Sequence, residues 1–270
     1  MGRLLGSKNK PASFGKLMRR YWIEKSQIFK DQVSFSADQF HHIFDVCRQT
    51  VGHQFEVITE DSNAFLVEVT AVEKKSASAR IIETRLIQKL RRPHIHLVLS
   101  ICRFPVMDSI VERAVEMGVS SIIPFYSEFS FIRKPANMPD GKLERWQKII
   151  ISACQQSGRG ELMTIKNPIE WSTLINSFNP SAEKWCLFAY EGLGTLSIKD
   201  YIETKKNQTD TLPSDIWIIV GSEGGFSTTE VESMHQLGLN PVTLGSQVLR
   251  VETACLTLVS VLKYEFELLS

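Results

Sequence analysis

Residues 215–230 read DIWIIVGSEGGFSTTE, and residues 241–254 read PVTLGSQVLRVETA. Each stretch runs a short apolar strand into a glycine-containing loop and then into the start of a helix. In the first, the loop spans Gly221 to Phe226, and Ser227 with Glu230 three residues later forms a capping box that defines the helix start. Gly221, Gly224 and Gly225 permit positive φ angles and close approach of bare backbone to a ligand. Glu223 is the only charged group of this loop. It suits either a hydrogen bond from a ligand or a tie within its own loop. In the second stretch Gly245 and Ser246 turn the chain, and Val248 and Leu249 offer apolar contact beside free main-chain groups, which suits an adenine ring. Arg250, Glu252 and Thr253 gather before the last helix, with Arg250 free to meet a ligand or to bridge Glu252 or Glu223. The glycine spacing is not that of the GxGxxG dinucleotide fingerprint, and no Gly-Lys-Ser/Thr of a P-loop is present. Together the two loops predict one cofactor pocket built from adjacent strand ends.

Around these loops strand and helix alternate. HIHLVLSI (94–101), VSSIIPF (119–125) and WCLFAY (185–190) read as buried strands. DSIVERAVEMG (108–118), with Asp108 as N-cap and Gly118 as stop, reads as a helix, as does GKLERWQKIIISACQQSG (141–158). The final TACLTLVSVLKYEFELL (253–269) is apolar almost all round, so it asks for burial, which a second subunit would supply. This alternation predicts an α/β unit over 94–270 with a parallel sheet covered by helices on both faces.

The first third has a different texture. Residues 1–17 are polar and aperiodic, the pattern of a disordered extension. From 18 to 83 short strands recur at YWI, FEVIT, AFLVEVTAV and SARII, with a hairpin turn at Asp61-Ser62-Asn63 and one helix at QFHHIFDVC (39–47). A small barrel or curled sheet accounts for them, and a basic linker, 84–93, follows.

The chain carries 31 basic and 30 acidic residues, yet eight of the basic ones, Arg19 and Arg20 among them, fall in residues 1–30 beside a single acid, Glu24. A second run, KKSASARIIETRLIQKLRR (74–92), opposes seven basic residues with Glu83 alone. Two basic patches on a chain of net charge +1 suit a polyanion touched on one face. The five scattered cysteines contain no CxxC pair, which predicts reduced core thiols. His94 and His96 alternate on a strand without a third nearby ligand, so no metal is expected. No stretch is long and apolar enough for a membrane span or a secretory signal, which points to the cytoplasm.

Four ordered motifs then carry a resemblance. GSEGGFS..E and LGSQVLRVETA are similar to the IGPEGGFS..E and LGPRILRTETA motifs of the ribosomal small-subunit methyltransferase E family. ERAVEMGVSSIIP (112–124) resembles the family's QKATELGV..I.P, and RWQKIIISACQQSGR (145–159) resembles its RW.KI...A.EQS.R. The resemblance covers residue 18 to the end. It implies a small N-terminal PUA-like β-barrel domain for RNA and a C-terminal trefoil-knotted SPOUT methyltransferase domain. It further implies a homodimer that uses S-adenosyl-L-methionine to methylate N3 of a uridine in the 16S rRNA of the small ribosomal subunit. By carry-over, Gly221, Glu223, Gly224, Leu244, Gly245, Leu249 and Arg250 surround the methyl donor. Arg250 and Glu252 are the catalytic candidates, and Arg19, Arg20, Arg103, Arg159 and Thr253 lie at the RNA or the dimer seam. Ser222 and Ser246 stand where the family usually has proline, which should loosen both loops by removing a fixed φ, and Gln247 replaces an arginine. A non-catalytic or retargeted RNA-binding protein with an altered pocket is the other reading these departures allow.

Overall fold

The computed structural model describes residues 18–269 apart from 179, 182, 193 and 210, so the extension expected over 1–17 lies outside the described residues. The chain divides into two compact units, one reaching to Val57 and resuming over 65–84, the other holding 58–64 and 85–270.

The first unit is a six-stranded sheet. Its strands are β1 (Arg20–Trp22), β2 (Ile28–Phe29), β3 (Gln32–Ser36), β4 (Gln54–Ile58), β5 (Asn63–Val72) and β6 (Ser76–Leu86), in the order β1-β4-β5-β6-β3-β2. A flat sheet of this size would hold its edges ~24 Å apart. The six steps from Trp22 to Ile28 span at most ~22 Å, so the sheet must curl. Alternation along β3 buries Val33 and Phe35 and exposes Gln32, Ser34 and Ser36. Those two join Tyr21, Phe44, Phe55, Val57 and Val67 in one core, with Tyr21 edge-on to Phe55 at 5.1 Å. The expected helix over 39–47 is a short helical turn, α1 (Ala37–Phe40), continued by π-helical turns over His41–Val46 that bury Ile43 and Phe44. Strand β6 runs to Leu86, so the first three residues read as linker extend the sheet instead.

The second unit alternates as the pattern predicts: β7 (His94–Ser100), α2 (Phe104–Glu116), β8 (Ser121–Tyr126), α3 (Lys142–Ser157), β9 (Thr164–Ile165), β10 (Ile169–Glu170), α4 (Trp171–Ser177), β11 (Lys184–Ala189), β12 (Leu196–Ser197), α5 (Ile198–Gln208), β13 (Asp215–Val220), α6 (Thr228–Gln236), β14 (Asn240–Thr243) and α7 (Val251–Glu265). The sheet order is β10-β8-β7-β13-β11-β14-β12, with β9 also paired to β8. Neighbouring strands along this order run parallel, for example β13 beside β7 and β11. The near-continuous apolar runs follow from cover on both faces. Leu174 of α4 and Val231 and Met234 of α6 pack with Val98, Ile123, Phe188 and Ile219, while α7 packs on β13 and α2.

One expectation needs correction. Asp108 is not an N-cap, because α2 begins at Phe104 with Pro105 in its first turn, where a fixed φ fits the helix. The Asp108 carboxylate instead accepts from Trp146 Nε1 (3.1 Å) and Arg145 Nε (2.9 Å), which ties α3 to α2. Helix α7 buries the stripe Val251, Cys255, Leu258, Val259 and Leu262 within its own chain and keeps Thr253 and Tyr264 exposed.

Candidate active site

The carboxyl ends of β7, β13, β11 and β14 lie side by side in the parallel sheet. Chain β7 leads on to β8 on one side, while β13 and β11 fill the other, so the order reverses here. Ligands of open parallel sheets settle at such a switch point. A cavity of about 530 Å³ opens there, a volume that falls within the range of small-molecule and cofactor sites.

The first wall is the turn after β13. Gly225 N–H donates to the Ser222 carbonyl (2.9 Å), which leaves Glu223 and Gly224 at the tip, and Gly225 has φ +71. A Cβ on Gly224 would sit 2.8 Å from Phe129 Cβ, so only glycine lets the tip lie against the β8–α3 loop. Ser222, at the position where the family usually has proline, ties this turn to its neighbour. Its buried hydroxyl donates to the Phe129 carbonyl at 2.6 Å, a tether that takes the place of a fixed φ. Glu223 lines the cavity and also makes a tie outside its own loop. Its Oε1 accepts from the Arg103 amide (3.1 Å) and from Arg103 Nε (3.2 Å), so it latches the turn to the start of α2. The capping box is present as read: Ser227 Oγ accepts from the Glu230 amide, and Glu230 Oε2 accepts from the Ser227 amide.

The second wall is the loop after β14. Leu244, Gln247, Val248, Leu249 and Arg250 line the cavity. Among the described residues, the amides of Ser246, Gln247, Val248 and Leu249 have no acceptor within the chain. Free main-chain donors beside apolar side chains are what the edge and face of a purine would meet. That donor set fits a nucleoside cofactor, and it is the wall expected to take the adenine.

Arg250 and Glu252 both line the cavity. Neither has an ion pair or side-chain hydrogen bond among the described residues, so the structural bridge considered for Arg250 is not formed. The nearby thiols are chemically quiet. Burial, with the Glu252 carboxylate, pushes Cys255 up to about 12, and burial with Glu223 likewise raises Cys102. Both stay protonated and neither is a nucleophile at neutral pH.

Six of the seven residues expected to touch the site are thus brought to it or to its rim: Gly221, Glu223, Leu244, Leu249 and Arg250 on the wall, and Gly224 at the turn tip behind it. Gly245 (φ +127) shapes the second turn without lining the cavity. Arg103 lines the wall, but Thr253 does not and is exposed on the first turn of α7. Arg159 is elsewhere: its guanidinium donates to the Val119 (2.7 Å) and Val115 (3.4 Å) carbonyls at the end of α2. Arg19 donates to the Cys47 carbonyl (3.3 Å), and Arg20 is held by buried Glu56 at 2.7 Å. The sequence reading missed Tyr190 and Glu191, which line the cavity from the end of β11. The strand WCLFAY was visible, but not that β11 pairs with β13. Among the described residues no group of three or more His, Cys, Asp or Glu is placed to hold a metal.

Comparison with known proteins bears on this geometry. Residues 89–263 match the RNA methyltransferase domain family, and residues 35–82 match the RNA methyltransferase PUA domain family. A ribosomal RNA small subunit methyltransferase E from Aquifex aeolicus (strain VF5) is 33% identical over 81% of this chain and 89% of its own. The crystal structure of a ribosomal RNA small subunit methyltransferase E from Neisseria gonorrhoeae bound to S-adenosyl methionine is similar with a TM-score of 0.77 at 26% identity. That similarity covers 92% of this chain and 97% of the other. A methyltransferase from Legionella pneumophila, solved with the bound cofactor SAM, gives a TM-score of 0.80 at 26% identity over 92% and 98% of the two chains.

Proposed function

The chain belongs to the RNA methyltransferase family of ribosomal RNA small subunit methyltransferase E, and on that premise we propose that it methylates N3 of a uridine in 16S rRNA with S-adenosyl-L-methionine. The single observation that carries the reading is the meeting of two loops, after β13 and after β14, on one cavity with unpaired amides and an unpaired arginine. S-adenosyl-L-methionine, when bound, supplies an electrophilic methyl group. The residues that would hold it are Gly221 and the main chain of Leu244 to Leu249, with Val220 and Val242 as apolar floor.

Uracil N3 carries a proton and is a poor nucleophile until that proton leaves. The chain must therefore orient the base and favour its imide anion. Arg250 is the group for the second task, through a charge-assisted hydrogen bond to a carbonyl oxygen of the base. Glu252, two residues on and also on the wall, either orients that guanidinium or relays the proton through water. The base has to leave its stack to reach the cavity, as for other enzymes that act on a base. The N-terminal unit, with its PUA family match, is the part suited to hold the surrounding RNA, and a homodimer is the expected assembly.

The test is to incubate the protein with unmodified small ribosomal subunits and methyl-labelled S-adenosylmethionine, then digest the rRNA and identify the labelled nucleoside by mass spectrometry. Label in 3-methyluridine is the expected result. Label in another nucleoside sinks the N3 assignment, and protein that neither binds the donor nor transfers label sinks the enzymatic reading altogether.

A further inference from the structure

Beside the cavity, the segment from Ser127 to Lys142 presents two phenylalanines to solvent: Phe129 is 41% and Phe131 50% exposed. Exposed aromatics on a loose loop would mean little. The part of this loop from Ser127 to Phe131 is held by a network of hydrogen bonds. Ser127, Ser130 and Ser100 form a buried ring of hydroxyls 2.6, 2.8 and 2.9 Å apart, and the Ser127 amide donates to Ser130 Oγ at 2.7 Å. The Glu128 amide donates to Glu230 Oε1 (2.9 Å), the Phe131 amide to the Ile101 carbonyl (2.8 Å), and Ser222 Oγ holds the Phe129 carbonyl. The backbone is pinned while its two largest apolar side chains stay out of the core.

The Phe131 ring is also oriented. It meets Phe104 edge-on, with centroids 5.5 Å apart and planes at 84°, and Lys142 Nζ lies 3.9 Å over the Phe104 ring. Phe104 directly follows Arg103, which lines the cavity, so the aromatic pair is anchored one residue along the chain from the cavity wall. Two and three residues beyond Phe131, Arg133 and Lys134 are exposed and have no ion-pair partner among the described residues. With Lys142 they outnumber the segment's acids, Glu128 and Asp140.

We propose that Phe131, oriented by Phe104, is a stacking platform for a base of single-stranded RNA flanking the nucleotide in the cavity, with Arg133 and Lys134 taking the adjoining phosphates. A π-face beside free cations is how proteins hold unpaired nucleotides without reading their sequence. The platform fixes where the strand enters, and through that which nucleotide reaches Arg250. This inference rests on the RNA methyltransferase reading.

The test compares the full-length protein with Phe131→Ala, Phe131→Leu and Phe131→Tyr. Three quantities are measured: binding of a fluorescein-labelled single-stranded RNA oligonucleotide, binding of S-adenosylmethionine by calorimetry, and solution mass by light scattering. Loss of one base–aromatic stack weakens binding by about 5- to 150-fold. Phe131→Ala and Phe131→Leu are expected to show that loss in RNA affinity, and Phe131→Tyr to restore it. Donor binding and mass should stay unchanged in all three. Leu binding RNA as well as Phe, or an RNA affinity flat across the series, overturns the platform. So does a change of mass in Phe131→Ala, which would assign the ring to a contact between copies. Failure of the wild type to bind the donor strikes the enzymatic reading instead, and is seen separately.

Discussion

At Arg250 the guanidinium is exposed on the cavity wall and unpaired, so its charge is free to act on a substrate. Removing one such preorganised donor costs about 10²–10³-fold in rate where it stabilises developing charge. Arg250→Ala should therefore lower the single-turnover methyl-transfer rate, measured at saturating donor, by about that factor. An unchanged rate takes Arg250 out of the chemistry. Ser222 makes a different kind of contribution, because its hydroxyl is the tether to the Phe129 carbonyl. Ser222→Ala strands that carbonyl, and a loss of about 1–2 kcal/mol in urea denaturation is the expected outcome. Residue types alone did pick out Gly221, Glu223, Leu244, Leu249 and Arg250, which line one cavity. They left Glu223 undecided, since its partner Arg103 lies 120 positions away and only the pairing of β7 with β13 brings the two together.

At the scale of elements, local chemistry was a good guide wherever a short-range hydrogen bond sets the boundary. The capping box at Ser227 and Glu230 is the clearest case, and the strand over 215–220 coincides with its apolar run. The start of α2 was misread because Asp108 has the right type for a cap, while Pro105 had already set the helical φ a turn earlier. Glu230 does more than its motif announces. It is 4% exposed, and its second oxygen accepts from the Glu128 amide, which joins α6 to the aromatic loop. Glu230→Ala should cost about 2–4 kcal/mol in equilibrium unfolding, since two amides lose their acceptor. A cost below that of a simple cap, about 1 kcal/mol, would show that water replaces both bonds. Gly224→Ala has to push the turn tip away from Phe129. It should weaken donor binding about tenfold or more by calorimetry, whereas Gly238→Ala, with open space around it at φ +71, should leave donor binding unchanged and cost only backbone strain.

For the molecule as a whole, the end of the sheet opposite the cavity contributes a pH dependence of stability. His96 stacks on Trp217 at 4.5 Å, sets Nδ1 2.7 Å from Ser121 Oγ, and sets Nε2 2.9 Å from Asp215 Oδ1. These contacts suit a neutral ring that accepts from serine and donates to aspartate. Burial lowers the His96 pKa from its ordinary 6.5 despite the pull of Asp215. For Asp215, burial alone would raise the carboxyl, but hydrogen bonds from His96 and Ser214 outweigh it and hold it below its ordinary value. As pH falls below about 6.5, the unfolded chain takes up a proton at His96 that the folded chain resists, so stability falls; Asp215 adds a further loss below its own ordinary value near 3.8. Denaturation midpoints should drop between pH 7.5 and 5.5, and His96→Gln should flatten that slope; an equal slope in the variant rules His96 out as its source. By itself, the amino-acid order determined the alternation of strands and helices, the two glycine turns, the capping box and the family, because each is written in neighbouring residues through periodicity, φ preference and short hydrogen bonds. Only the tertiary structure decided that β13 lies between β7 and β11, that Tyr190 and Glu191 join the wall, and that Arg159 donates to the Val115 and Val119 carbonyls at the end of α2. Strand neighbours are chosen by the packing of both sheet faces at once, and no local stretch of chain carries that information.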